Sequence, residues 1–318
     1  MTNGGREALT PQAARSLVDS VDVFIFDCDG VIWKGDKLIE GVSEALHTLR
    51  SLGKKFVFLT NNSRKSRKQY AKKFSKLGME INEDEIFTSS FAAAMYLKLN
   101  NFPTDKKVYV VGEEGIKEEL KLVGYESIGG PEDGKKSIQL ESSFFFDHDK
   151  SVGAVVVGLD QHFNYYKLQY ANLCIRENPG CLFIATNRDS TGNLTSLQEW
   201  PGAGCMVSAV SCSVQKEPVV VGKPSTFLMD FLLERFRIDV SRMCMVGDRL
   251  DTDILFGHNA GCKTLLVLSG TLYQIIQWPA QLALAGVTTL PALLDPSNSI
   301  HPDSYANDMS HFVQLLSQ

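Results

Sequence analysis

Two observations predict an α/β fold, a doubly wound parallel sheet with helices on both faces. Apolar, β-branched runs recur along the chain, with stretches of helical periodicity between them. The runs are apolar at nearly every position instead of alternating, as strands covered on both faces must be. A third observation bears on function. Four of the runs end abruptly in polar or charged residues, and in open parallel sheets the strand ends are where ligands bind.

The elements follow in order. "VDVFIFD" (21–27) is the first strand, and "GVSEALHTLRSLG" after it repeats Val42, Ala45, Leu46 and Leu49 at helical spacing. "KKFVFLTNN" (54–62) is the second strand, followed by a helix with Tyr70, Phe74 and Leu77 on one face. Arg64, Lys65, Arg67, Lys68, Lys72, Lys73 and Lys76 cluster here; such a run reads as the solvated face of that helix, the alternative being a patch that steers anions. The strands "KVYVVG" (107–112), "GAVVVGLD" (153–160) and "CLFIATNRD" (181–189) come next. Between them, the polar stretch 129–151 is a long excursion. Phe163, Tyr166, Tyr170 and Leu173 read as the core stripe of a helix. After 217 the pattern resumes with "PVVVGKPS", a helix through "FLMDFLLERF", then "RMCMVGDRLDTDI" and "TLLVLSG".

Bulk composition narrows the function classes. A chain of 318 residues suits two domains, and 44% hydrophobic with 22% charged residues is ordinary for a soluble globular protein. A net charge of −5 gives no pull toward nucleic acid or an anionic membrane, and the pattern of RNA-binding sheets is missing. The seven cysteines form no CxxC pair and read as reduced, buried thiols. No apolar run approaches the ~18 residues of a membrane span. The N-terminus lacks the apolar core of a signal peptide, and the 26 residues before Asp27 leave little room for a transit peptide. The expected location is cytoplasmic.

Four strand-end stretches carry the chemistry. "FIFDCDGVIWKG" places Asp27 and Asp29 directly after the first strand. An EF-hand is excluded, because Val31 and Leu38 stand at the fifth and twelfth loop positions. "FLTNNS" offers Thr60, Asn61 and Asn62, donors suited to phosphate oxygens, although a helix N-cap needs the same residues. "VVVGKPST" is no P-loop, since Glu217 and Pro224 occupy positions that must be Gly and Ser/Thr. It leaves Lys223 at a strand end, able to neutralise a phosphate or carboxylate. "MCMVGDRLDTDI" sets Asp248, Asp251 and Asp253 within six residues, a density that calls for a hard cation or for solvent.

"DCDGVIWKG", "LTNNS", "VGKPS" and "VGDRLDTDI", in this order, resemble the four motifs of the haloacid dehalogenase superfamily of phosphatases. The long insert between the second and third resembles its C2-type cap. With "GCLFIATNRD" and "PGAGC" added, the chain resembles the eukaryotic phosphoglycolate phosphatase / p-nitrophenyl-phosphatase family, most closely its plant cytosolic type. The resemblance covers roughly residues 18 to 270. It implies a Rossmann-like core with an inserted α/β cap domain: core 18–103, cap 104–216, core 217–318.

What the resemblance implies for mechanism is specific. Asp27 is the nucleophile that forms an aspartyl-phosphate, and Asp29 the general acid, then base. Mg²⁺ is held by Asp27, the Asp29 carbonyl and Asp248, with Asp253 orienting a metal-bound water and Asp251 an alternative for that role. Thr60 and Lys223 bind the phosphoryl oxygens, with Asn61 and Asn62 beside them. The implied substrate is 2-phosphoglycolate, a small phosphorylated metabolite of photorespiration; pyridoxal 5′-phosphate or a broader set of small phosphoesters is the alternative, and a non-catalytic scaffold a third reading. A homodimer through the cap is the expected assembly.

Within the cap, "TNRDSTGN" (186–193) is the candidate specificity loop, with Arg188 either a substrate cation or half of a surface salt bridge. "PGAGC" is a tight turn or a source of backbone N–H donors near the site. One departure from the family is the apolar stretch 271–296, longer than its expected polar loop.

Overall fold

Six parallel strands form the larger sheet in the computed structural model, which describes residues 8–192, 194–195, 198–268 and 288–318. Their order is Ser304–Ala306, Lys263–Val267, Met243–Gly247, Val23–Phe26, Lys55–Thr60, Ile86–Thr88. The chain leaves the central strand Val23–Phe26 toward one edge and later returns on the other side of it. That reversal opens a crevice at the carboxyl end of the central strand, where Asp27 stands. A second parallel sheet has the order Val219–Val220, Leu182–Ala185, Val152–Val157, Lys107–Val111, Ser127–Gly129. The expected α/β class and inserted second sheet are both present.

Strand residues alternate between two apolar layers, as a period of two requires. Phe24, Phe26, Phe56 and Phe58 pack under the helices Pro11–Ser20, Val42–Ser51, Arg67–Lys76 and Met309–Leu316. On the other face, Val23, Ile25, Val57 and Leu59 share one core with Val108, Val110, Ala154 and Val156 of the second sheet. The two sheets are therefore joined through apolar contact. The outer face of the second sheet, with Tyr109, Val155 and Val157, is covered by the helices Tyr165–Glu177 and Ala203–Val214.

The boundaries differ from those the sequence suggests. Leu9 and Ala14 belong to the large core, ahead of residue 18. Strand Val219–Val220 pairs with Leu182–Ala185 in the cap sheet, past residue 216. The apolar stretch 271–296 lies mostly outside the described residues; from 288 onward it supplies Leu293 to a small cluster with Ile254, Leu266 and Leu268. All seven cysteines are free, five of them buried. Among the described residues, no helix is long and apolar enough to cross a membrane.

The cap helix Tyr165–Glu177 buries one charged residue. Lys167 is fully buried and donates to Asp160 at 2.6 Å. Asp160 also accepts from His162 N at 2.9 Å, so the pair anchors the turn after Val152–Val157. Removing one partner of such a pair leaves an uncompensated charge. Lys167→Met is expected to destabilise the protein by ~3–5 kcal/mol, read by urea denaturation followed by circular dichroism; an unchanged midpoint would contradict that role.

Candidate active site

Asp27 follows the central strand, and its N–H is held by Val246 O at 2.9 Å. Its carboxylate accepts from Lys223 Nζ at 2.5 Å. The same ammonium donates to Asp253 Oδ1 at 2.7 Å and to Leu59 O at 2.9 Å. All three Lys223 protons are thereby engaged in a buried setting. Burial pushes the Asp27 carboxyl up to about 7, against the pull of Lys223. Burial disfavours the Lys223 cation, but the Asp253 and Asp27 charges outweigh it and hold its pKa above the usual lysine range.

Asp248 ends strand Met243–Gly247 beside Asp27. Burial raises its pKa well above the carboxylate range, with the charges of Asp253 and Asp27 adding to the effect. One oxygen from each of Asp27, Asp248 and Asp253 lies within 4.8 Å of the others. Gly30, at φ +91°, makes room for this arrangement: a Cβ there would lie 2.0 Å from Asp248 Oδ2. Asp253 is fixed from two sides, since its Oδ2 accepts from the N–H groups of Asp248 and Arg249 at 3.2 and 3.1 Å. Asp251 is separated from the cluster: its carboxylate takes both Arg249 Nε and Nη2, at 3.1 and 2.8 Å, and is largely exposed. The two aspartates that sequence left interchangeable thus face different surroundings.

Asp29 is two residues beyond Asp27, and its Oδ1 accepts from the Trp33 indole N–H at 2.9 Å. Trp33 is fully buried on Tyr70 and Phe74, so this bond is set by the core. Thr60 ends the neighbouring strand, and its Oγ1 accepts from Asn62 N at 3.1 Å. Asn62 turns its own Oδ1 to Arg64 N. Asn61, expected as a substrate donor, also works as a strut. Its Nδ2 donates to Asp189 Oδ1 and Lys223 O, both at 3.0 Å, while its carbonyl accepts from Ser89 Oγ and Asn187 Nδ2. The amide of Asn61 is thus committed to fixing the cap loop on the core.

These groups surround one small cavity of about 120 Å³. Its core wall includes Asp27, Asp29, Thr60, Asn61, Asn62, Lys223, Asp248 and Arg249; its cap wall includes Leu159, Asn187, Asp189, Thr191 and Ala203. Arg188 is not part of it. Its guanidinium pairs with Glu217 on the surface and faces a separate hollow lined by Ser208, Ser211 and Cys212. The reason is backbone packing. A Cβ at Gly202 would lie 2.1 Å from Asp189 O and one at Gly204 2.5 Å from Arg188 O, so "PGAGC" presses directly on this loop. The N–H groups of Gly202 and Gly204 are used there, on Ser190 O and Asp189 O, and are not donors into the cavity. Asn193, the last residue of the candidate specificity loop, lies outside the described residues.

The sequence reading missed Asp189, Arg249, Asn187 and Leu159 as cavity residues. Asp189 and Asn187 flank Arg188 in the loop that reading singled out, so the segment was legible and the orientation was not. Burial raises the pKa of Asp189 and the Arg249 charge opposes the shift, coupling cap and core across the cavity.

A family model described as haloacid dehalogenase-like hydrolase matches residues 24–126, and a second, HAD-hydrolase-like model matches 220–310. Phosphoglycolate phosphatase 2 of Arabidopsis thaliana is 62% identical over 311 residues, covering 98% of both chains. The crystal structure of a 4-nitrophenylphosphatase from Thermotoga maritima superposes with a TM-score of 0.75 at 27% identity, covering 94% of this chain and 99% of that one. A glycerol phosphate phosphatase from Mycobacterium tuberculosis, in complex with magnesium, gives 0.73 at 27% identity over 93% of this chain and 77% of its own.

Because Arg188 makes a surface pair, worth ~0–1 kcal/mol, Arg188→Ala is expected to leave kcat/KM for phosphomonoesters within about 2-fold. A loss of 100-fold in steady-state assays would return Arg188 to the site. Gly30→Ala, by contrast, forces the Asp248 carboxylate aside. It is expected to lower kcat by at least ~10²-fold, the cost of misplacing reacting groups by about 1 Å.

Proposed function

This chain belongs to the haloacid dehalogenase-like hydrolases, and on that premise we propose that it is a Mg²⁺-dependent phosphatase that hydrolyses 2-phosphoglycolate to glycolate and phosphate. One observation carries the reaction. A buried carboxylate, Asp27, stands at the switch point of the sheet, held on a buried lysine, with a second carboxylate two residues on and a third beside it. The substrate rests on the 62% identity to a protein named for it, and on a small cavity that suits a small leaving group.

The donor set fits a hard divalent ion. Three buried carboxylates face one lysine, leaving an excess of negative charge that an oxygen-seeking cation relieves. Asp27, Asp248 and the Asp29 carbonyl would hold it, while Asp253 acts by fixing Lys223 and the Asp248–Arg249 backbone. Bound Mg²⁺ would supply charge neutralisation at the phosphoryl oxygens.

Asp27 attacks phosphorus, and the bond to the leaving alkoxide breaks as Asp29 delivers its proton. The product of this step is an aspartyl-phosphate on Asp27. Asp29, held by Trp33, then takes a proton from water, which attacks phosphorus and releases Asp27. Lys223 lowers the Asp27 pKa against the effect of burial and holds the carboxylate close, and Thr60 lines the cavity where the transferring group would sit. Splitting one displacement into two lowers each barrier, and most of the acceleration comes from positioning and charge. We place the enzyme in the cytosol. The exposed Leu140, Phe144 and Phe145 of the cap are the face we assign to a homodimer.

Asp27→Asn is expected to lose at least ~10³-fold in kcat with the fold intact; a folded variant turning over normally would remove Asp27 from the reaction. Chelation by EDTA should abolish phosphate release, Mg²⁺ restore it and Ca²⁺ fail to, since calcium prefers more ligands and looser geometry. For the substrate, kcat/KM should favour 2-phosphoglycolate over glycerol 3-phosphate and pyridoxal 5′-phosphate. A preference for either of those would overturn the substrate assignment and leave the reaction class standing.

A further inference from the structure

Much of the basic run 64–76 gathers on one concave surface. Arg64, Lys65, Lys72, Lys73 and Lys76 line one groove of about 460 Å³, between the helix Arg67–Lys76, the hairpin near Asp36 and the start of the cap at Glu113. Some basic side chains elsewhere are matched with carboxylates, Arg50 with Glu85, Arg67 with Glu119, Lys107 with Asp149 and Lys117 with Glu132, whereas others stand singly on the surface. Among the described residues, Arg64, Lys65, Lys72 and Lys76 form no ion pair within 4.0 Å. Arg64 Nε is buried and has no hydrogen-bond partner, a state that costs free energy unless a ligand completes it. Lys73 caps the inner end of the groove, donating to Gly35 O at 2.8 Å and lying 4.1 Å over the Trp33 ring.

Asp36 and Glu113 are the acidic groups on the lining, so five cations face two anions. Glu113 is turned in part to the cap, accepting from Gln161 N at 3.0 Å. Like charges crowded on one concave wall raise the local concentration of anions. A guanidinium among ammonium groups is the combination that recognises phosphate. The groove is distinct from the catalytic cavity, with which it shares no lining residue.

We propose that this groove is a second anion site, which binds the phosphate group of a free, small phosphorylated metabolite next to the core–cap junction. The test uses the full chain and sulfate as probe, titrated by calorimetry at ionic strength held constant with sodium chloride. The comparison is with the triple variant Lys65→Ala, Lys72→Ala, Lys76→Ala, whose changes lie on exposed positions outside the catalytic machinery. Saturable binding that weakens by at least ~10-fold in the variant, with p-nitrophenyl phosphate turnover in sulfate-free buffer unchanged, is the expected result. Identical isotherms would assign all sulfate to the catalytic cavity and overturn the proposal, as would the absence of saturable binding in the parent. Co-sedimentation of the parent, but not of the variant, with phosphatidylserine vesicles would also overturn it, by identifying the ligand as a lipid headgroup.

Discussion

The ammonium of Lys223 is the contact on which the site depends. It reaches from the loop after the cap sheet to Asp27 on the central strand, to Asp253 and to the Leu59 carbonyl. Without it, three buried carboxylates would face one another at close range. Their mutual repulsion and loss of hydration would drive protonation or local opening. With it, Asp27 is held ionisable in a buried setting. The lysine also brings three parts of the chain together that are far apart in sequence.

Asn61 does for the polypeptide what Lys223 does for the charges. Its side chain joins the Asp189 carboxylate of the cap to the Lys223 carbonyl, and its own carbonyl receives Ser89 and Asn187. Ser63 Oγ adds a bond from Leu159 N. Close packing reinforces the junction, because Gly222 lies against Thr186 O so tightly that a Cβ would approach to 2.3 Å. The strand-end motif "LTNNS" therefore also serves as the joint fixing the cap loop over Asp27.

The aromatic core continues this logic to Asp29. Phe26, Phe58, Phe74, Tyr70 and Trp33 form a chain of ring contacts beneath the sheet. Trp33 ends it with an indole N–H aimed at the Asp29 carboxylate. In the reaction proposed above, a general acid must be within reach of the leaving oxygen throughout. Here its orientation is set by packing, which tolerates little displacement.

Much was determined by the sequence alone. Continuous apolar runs dictated a parallel sheet, and polar groups closing four of them dictated where Asp27, Thr60, Lys223 and Asp248 would meet, since strand ends in such a sheet share one edge. Local order sufficed because each residue is fixed by its position one step beyond a strand. The rest depended on side-chain direction and long-range packing. Arg188 turned to Glu217 because two glycines press on its loop, and Asp251 left the cluster because Arg249 claimed both its oxygens. Lys167 was buried because Asp160, seven residues earlier, waited inside the cap. The short strand Ser304–Ala306 forms because the apolar edge of Lys263–Val267 accepts it. Periodicity records which face of an element is apolar, not which partner a charged group will find; that partner is chosen only when distant segments are brought within hydrogen-bond range.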